Sequence, residues 1–170
     1  AILGYMLWLA LSLIEQQHER DGSSARGYRL SLTILCVVSV TVLSGGLTAG
    51  LDAGFIYNTW PLMDDGVAPA AMFAETPLWS NFFENPATVQ FNHRALAYLT
   101  TGLVITLWLL RRRAPRIAHA TRAIHVLLAV VALQVTLGVS TLLLVVPLPL
   151  AVAHQASAVA LFISAIWMVH

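Results

Sequence analysis

Six histidines punctuate a chain of 170 residues in which only 10% of the side chains are charged. Imidazole binds metals and moves protons near neutral pH, so their surroundings decide what they could do. His18 and His119 lie among polar residues and His170 is terminal, which reads as solvated surface. His93 (in FNHRALA), His154 (in VAHQASA) and His125 (in AIHVLL) lie in apolar sequence. An ionisable side chain inside an apolar span is costly and ordinarily has a partner. Other reactive groups are scarce. Cys36 is the single cysteine and reads as an apolar filler with no bridge to form. All nine basic residues are Arg, and Arg94, beside His93, is the only one between Leu30 and Leu110.

The elements that carry these residues follow from composition. Hydrophobic residues make up 58% and mean hydropathy is +0.77, which excludes a disordered chain, a nucleic-acid binder and a secreted disulfide scaffold. A bilayer core needs about 20 apolar residues per helix. Leu30–Leu51, Asn92–Leu110, Ala123–Val146 and Leu150–Val169 meet that length. The expected fold is all-α, an integral membrane four-helix bundle over 30–170. Ala1–Ile14 is apolar but short, and reads as the remnant of a preceding transmembrane helix. Segment 15–29 with Arg20, Arg26 and Arg29, and Arg111–Arg122 with five Arg, are the basic loops. The 52–91 loop has no basic residue and carries Asp52, Asp64, Asp65, Glu75 and Glu84. The positive-inside rule places the Arg-bearing loops inside and 52–91 outside. Seven aromatic rings in that outer loop, from Phe55 to Phe83, suit a membrane interface. A short interfacial helix is expected near Ala70–Phe83, as an anchor or as a lid over something below.

The spans resemble two copies of a helix pair. VTVLSGGLTAGL (Val40–Leu51) then FNHRALA pairs with VTLGVSTLLL (Val135–Leu144) then VAHQASA. A histidine recurs at the same place, and repeats in membrane proteins often meet at a shared site. Depth agrees. Counting from the inner ends, His93 lies roughly 25 Å up and His154 roughly 24 Å up, about one turn inside the outer face. His125 is roughly 3 Å from the inner boundary and reads as interfacial. A lone buried His is most simply bonded to a backbone carbonyl. Two at one depth, with small neighbours such as Ala97, Thr100, Ser157 and Ala158, favour a shared flat ligand.

Imidazole suits zinc, copper and iron. A structural zinc site wants four N or S ligands, and the outer half of the spans has no further cysteine or acid near the pair. Haem iron takes four nitrogens from porphyrin and two axial groups from protein, so His93 and His154 are the candidate metal ligands. Arg94 could meet a propionate, or snorkel and pair with Asp52 or Glu84. Gly46, Gly50 and Gly54 form a smooth strip for helix packing or macrocycle clearance, and Gln134 and Thr136 are candidate interhelical hydrogen-bond formers.

Three segments carry a family likeness: GGLTAGLDAGFIYNTWPLMDDGVAP (Gly45–Pro69), NPATVQFNHRALAY (Asn85–Tyr98) and VTLGVSTLLLVVPLPLAVAHQASA (Val135–Ala158). They resemble the C-terminal half of haem A synthase of the mitochondrial and alphaproteobacterial type. The resemblance implies half of an eight-span protein of the bacterial cytoplasmic or mitochondrial inner membrane. It implies an oxidoreductase that converts a ring methyl of haem O to a formyl group, yielding haem A for cytochrome c oxidase. It places haem b on His93 and His154, and puts substrate oxidation in the N-terminal half, with no catalytic residue assigned here. Its partners would be the lipid bilayer, the N-terminal half, haem O and an electron donor of unspecified class, with a homo-oligomer left open. The chain alone is then expected to be inactive. The alternatives are a stand-alone bis-His membrane cytochrome and a packing or assembly subunit with two merely buried histidines.

Overall fold

A computed structural model describes residues 25–112 and 118–169, with side chains over 27–112 and 120–169. Ala1–Ile14, His18, His170 and the His119 side chain lie outside the described residues. Four long helices dominate: α1 (Ala25–Gly50), α3 (Pro86–Arg111), α4 (Ala118–Leu143) and α5 (Leu148–Val169), with a four-residue α2 (Asn81–Glu84) in the outer loop. All four are long and apolar enough to cross a membrane, and no strand occurs among the described residues.

All four helices start two to six residues before the expected apolar segments, whereas α1 and α4 stop one and three residues short of them. The α3 helix starts at Pro86, six residues before Asn92, because Asn85 caps it: its side chain accepts from the Ala87 and Thr88 amides at 2.9 and 3.2 Å. Proline at the first helical position costs nothing there, since its missing N–H would be unpaired anyway. His93 and His154 therefore lie seven and six residues into their helices, roughly 10 and 9 Å. They remain level, but nearly two turns deep rather than one.

The expected helix near Ala70–Phe83 is not continuous. Turns run through Ala70–Phe73, followed by a 3₁₀ turn (Leu78–Ser80) and α2. Prolines at 69 and 77 interrupt the run. Asn81 side-chain bonds to Glu75 N and O and to Leu78 O take over the local backbone, the competition that short polar side chains offer to a helix. Phe73, Trp79, Phe82 and Phe83 stay exposed.

The closest helix pairs are α4 with α5 and α1 with α3; α1 with α5 and α3 with α4 complete the ring. The helices bearing the two histidines, α3 and α5, thus stand diagonally across the bundle. A buried apolar cluster fills the half towards the Arg-rich ends. It includes Ile34 and Val38 on α1, Val104 and Leu107 on α3, Leu127 and Val131 on α4, and Leu161, Ala165 and Met168 on α5. These positions repeat. Val104 and Leu107 follow His93 at the spacing at which Ala165 and Met168 follow His154. Towards the outer face the buried interior becomes polar and small: Thr41, Ser44, Thr100, Thr141 and Ser157.

Candidate functional site

The two histidines are seated alike. His93 on α3 lies against Gly45 on α1: a Cβ there would stand 3.1 Å from His93 Cε1. His154 on α5 lies against Gly138 on α4, where a Cβ would stand 2.9 Å from Cε1 and 3.4 and 3.5 Å from the two ring nitrogens. Each glycine precedes the end of its helix by five residues. Only glycine leaves the ring this room, so these two positions build the seats. The main chain four residues before each glycine, at Thr41 and at Gln134, interacts with the corresponding ring. The two imidazoles are within electrostatic range of one another.

These pairings fix the register of the repeat. Gly45 matches Gly138, Thr41 matches Gln134, and Ile34 and Val38 match Leu127 and Val131. The alignment of Val40 with Val135 is two residues out. The shared Val-Thr pair does not mark equivalent positions: Thr41 is buried, whereas Thr136 is exposed with its hydroxyl bonded to Ala132 O.

Polar contacts differ between the seats. Ser44 Oγ lies 2.9 Å from His93 Nδ1 and donates to Thr41 O at 2.8 Å. Thr41 also bonds Thr100 across α1 and α3, at 3.0 Å. On the other side, Gln134 Nε2 donates to His154 O at 3.2 Å, and Ser157 Oγ has Gln134 Oε1 and His154 O as the two acceptors for its one proton. Gln134 is thus the interhelical hydrogen-bond former that its mid-span place suggests; Thr136 is not. His154 Nδ1 is buried without a hydrogen-bond partner.

Arg94 spreads its guanidinium over the outer loop. Nη1 donates to Thr59 O and Leu62 O at 3.0 and 3.2 Å, and Nη2 to Tyr57 O at 2.5 Å. Among the described residues it forms no ion pair with Asp52 or Glu84, and its Nε is buried and unpartnered. Gln90, one turn earlier, donates to Ala53 O and Ile56 O at 2.8 and 2.6 Å. Asn58 ties the same loop to α4 through Leu142 O at 2.9 Å. An open apolar groove of ≈ 510 Å³ borders Ser44, with Leu47, Leu96 and Leu99 along it and Phe82 and Phe83 at its rim.

Other candidates fall away from this place. His125 is exposed, its Nδ1 2.7 Å from Thr121 O. Cys36 is exposed on α1 rather than filling the interior. Gly46 and Gly50 face open space, and a Cβ on Gly54 would touch Val146 at 3.0 Å. The strip does not line the histidines; its neighbour Gly45 does. Among the described residues no three His, Cys, Asp or Glu gather as a metal cluster. Ser44, Gly45, Gly138 and Gln90 are the residues that sequence reasoning passed over. The glycine shared by SGG and TLGV, each ahead of a histidine-bearing span, was the available signal.

A family model described as cytochrome oxidase assembly protein, COX15-CtaA, matches residues 1–166. The chain belongs to this family. Within the COX15-CtaA family it is similar to proteins named heme A synthase. That of Nitrosospira multiformis is 45% identical over 172 residues, covering 100% of this chain and 48% of the relative. That of Paramagnetospirillum magneticum is 42% identical, covering 99% and 48%, and one from Rhizobium etli is 44% identical, covering 92% and 42%. The chain spans about half the length of the curated relatives it matches. No solved structure matches it. Four apolar helices together with this family make it an integral membrane protein.

Proposed function

We propose that the chain is the haem b-binding C-terminal half of a haem A synthase, with His93 and His154 as axial ligands. The carrying observation is the doubled seat: two imidazoles at one level on diagonal helices, each backed by a glycine. The fit is chemical as well as spatial. Among the described residues the donor set is two half-buried imidazoles with no third His, Cys, Asp or Glu beside them, which matches a metal that brings four nitrogens with it. The unpartnered Nδ1 of His154 is a buried polar atom of the kind that ordinarily has a function or a missing partner. Haem bound here would supply one-electron transfer, tuned by axial ligation and burial.

The chain's own residues then bind and orient. Gly45 and Gly138 let the rings approach α1 and α4. Gln134 and Ser157 hold the His154 backbone. Leu127, Val131 and Leu161 keep water from the inner side. Arg94 keeps the outer loop over the site, and its free Nε–H is the donor left for a propionate. In the intact protein this half would serve the oxidation of a haem O ring methyl to a formyl group, giving haem A for cytochrome c oxidase. The Arg-rich ends would face the cytoplasm or matrix, with loop 52–91 opposite. Likeness to proteins named heme A synthase favours this reading over a stand-alone carrier.

The test is haem content per polypeptide and the reduced-minus-oxidised spectrum of the whole protein. His93→Ala and His154→Ala should each remove one low-spin b-type haem. Retention of that haem in either variant defeats the assignment.

A further inference from the structure

Among the described residues, Ser44 is the one side chain that hydrogen-bonds either ring of the pair. A hydroxyl has a single proton to give. Ser44 gives it to the Thr41 carbonyl at 2.8 Å. Towards His93 Nδ1, 2.9 Å away, the same oxygen can therefore only accept. In that arrangement the neutral ring carries its proton on Nδ1 and its lone pair on Nε2. Among the described residues no side chain does for the His154 ring what Ser44 does for His93: the side chains of Gln134 and Ser157 bond the His154 main-chain carbonyl.

We infer that Ser44 is a positioning residue that locks His93 with its proton on Nδ1 and presents Nε2 for ligation, making His93 the more electron-donating of the two ligands. The inference rests on the bis-histidine reading above. A hydrogen bond accepted from the distal N–H of a ligating imidazole fixes its orientation and raises its basicity, and losing such a partner typically costs 10–100-fold in metal affinity. A serine that merely satisfied its own helix through Thr41 would have no such effect on a haem.

The experiment compares whole, haem-loaded protein with its Ser44→Ala and Ser44→Thr variants. Ser44→Ala keeps both imidazoles, so the low-spin bands should persist. Haem should transfer to an apo-globin acceptor roughly tenfold faster or more. The midpoint potential should rise, because a less basic ligand stabilises ferric iron less. Ser44→Thr, which retains the hydroxyl, should return both readings towards the parent. Should Ser44→Ala not accumulate, Ser44→Cys, with a weakly accepting sulfur, should also show a raised midpoint. Low-spin bands with parental transfer rate and midpoint in Ser44→Ala, or a parental midpoint in Ser44→Cys, overturn the positioning role and leave the histidine pair standing. Persistence of the haem in His93→Ala overturns both.

Discussion

At His154 a single missing methyl group decides whether the ring has a place. A Cβ on Gly138 would stand 2.9 Å from Cε1, closer than real atoms sit, and overpacking of this kind costs about 1–3 kcal/mol. Gly138→Ala should therefore displace the imidazole and abolish the b-type spectrum. Gly46→Ala and Gly50→Ala meet open space and should keep the spectrum while gaining up to about 1 kcal/mol in helix propensity; thermal unfolding with haem absorbance separates the two classes. Arg94 makes a different point. Its fork holds three loop carbonyls at once, a geometry that lysine cannot copy. Arg94→Lys should raise protease cleavage of loop 52–80 several-fold, from the loss of charge-assisted bonds of about 1.5–3 kcal/mol each. The histidines were legible because apolar sequence makes them conspicuous and a 1.5 Å rise gives their depth. Ser44, Gly45 and the carbonyl partners of Arg94 were not, because their roles arise from residues 32–49 positions away along the chain.

Helix α4 ends under strain. Val145 and Val146 have φ of 59° and 56°, the left-handed region that β-branched residues avoid. The bonds Val146 N to Thr141 O and Val145 N to Leu142 O, at 2.8 and 3.1 Å, form the helix ending in which Val145 stands where glycine is usual. Asn58 on Leu142 O and Gly54 against Val146 hold the turn from the loop side. Val145→Gly should stabilise the protein by about 1 kcal/mol, the cost of a left-handed L-residue, read as a rise in midpoint temperature. The long helices were plain from hydropathy, with ends misjudged by up to six residues because capping, not apolarity, sets them. The outer loop was opaque. Its aromatic rings suggested an interfacial helix, but the backbone is organised by Asn81, Asn85 and Gln90, whose partners no local pattern reveals.

The bundle as a whole has a packed floor and a polar upper storey. Leu127→Ala, fully buried in the floor, should lower stability by about 2–5 kcal/mol while leaving the haem spectrum of the folded protein unchanged. Removal of the proposed haem should also lower the unfolding temperature, but by emptying the upper storey and leaving the floor intact; a ligand at 100 times its dissociation constant contributes about 2.7 kcal/mol. The repeat accounts for both storeys, and its existence could be read from the sequence while its register could not, because valine and threonine recur too freely in apolar helices to mark a position. The closest packing runs within α1–α3 and within α4–α5, and each pair carries one imidazole. The molecule is therefore divisible. If haem joins the two imidazoles as proposed, a gene severed between the codons for Arg112 and Ala118 should yield two colourless hairpins that find each other in the bilayer and turn red only together, with iron porphyrin as the rivet.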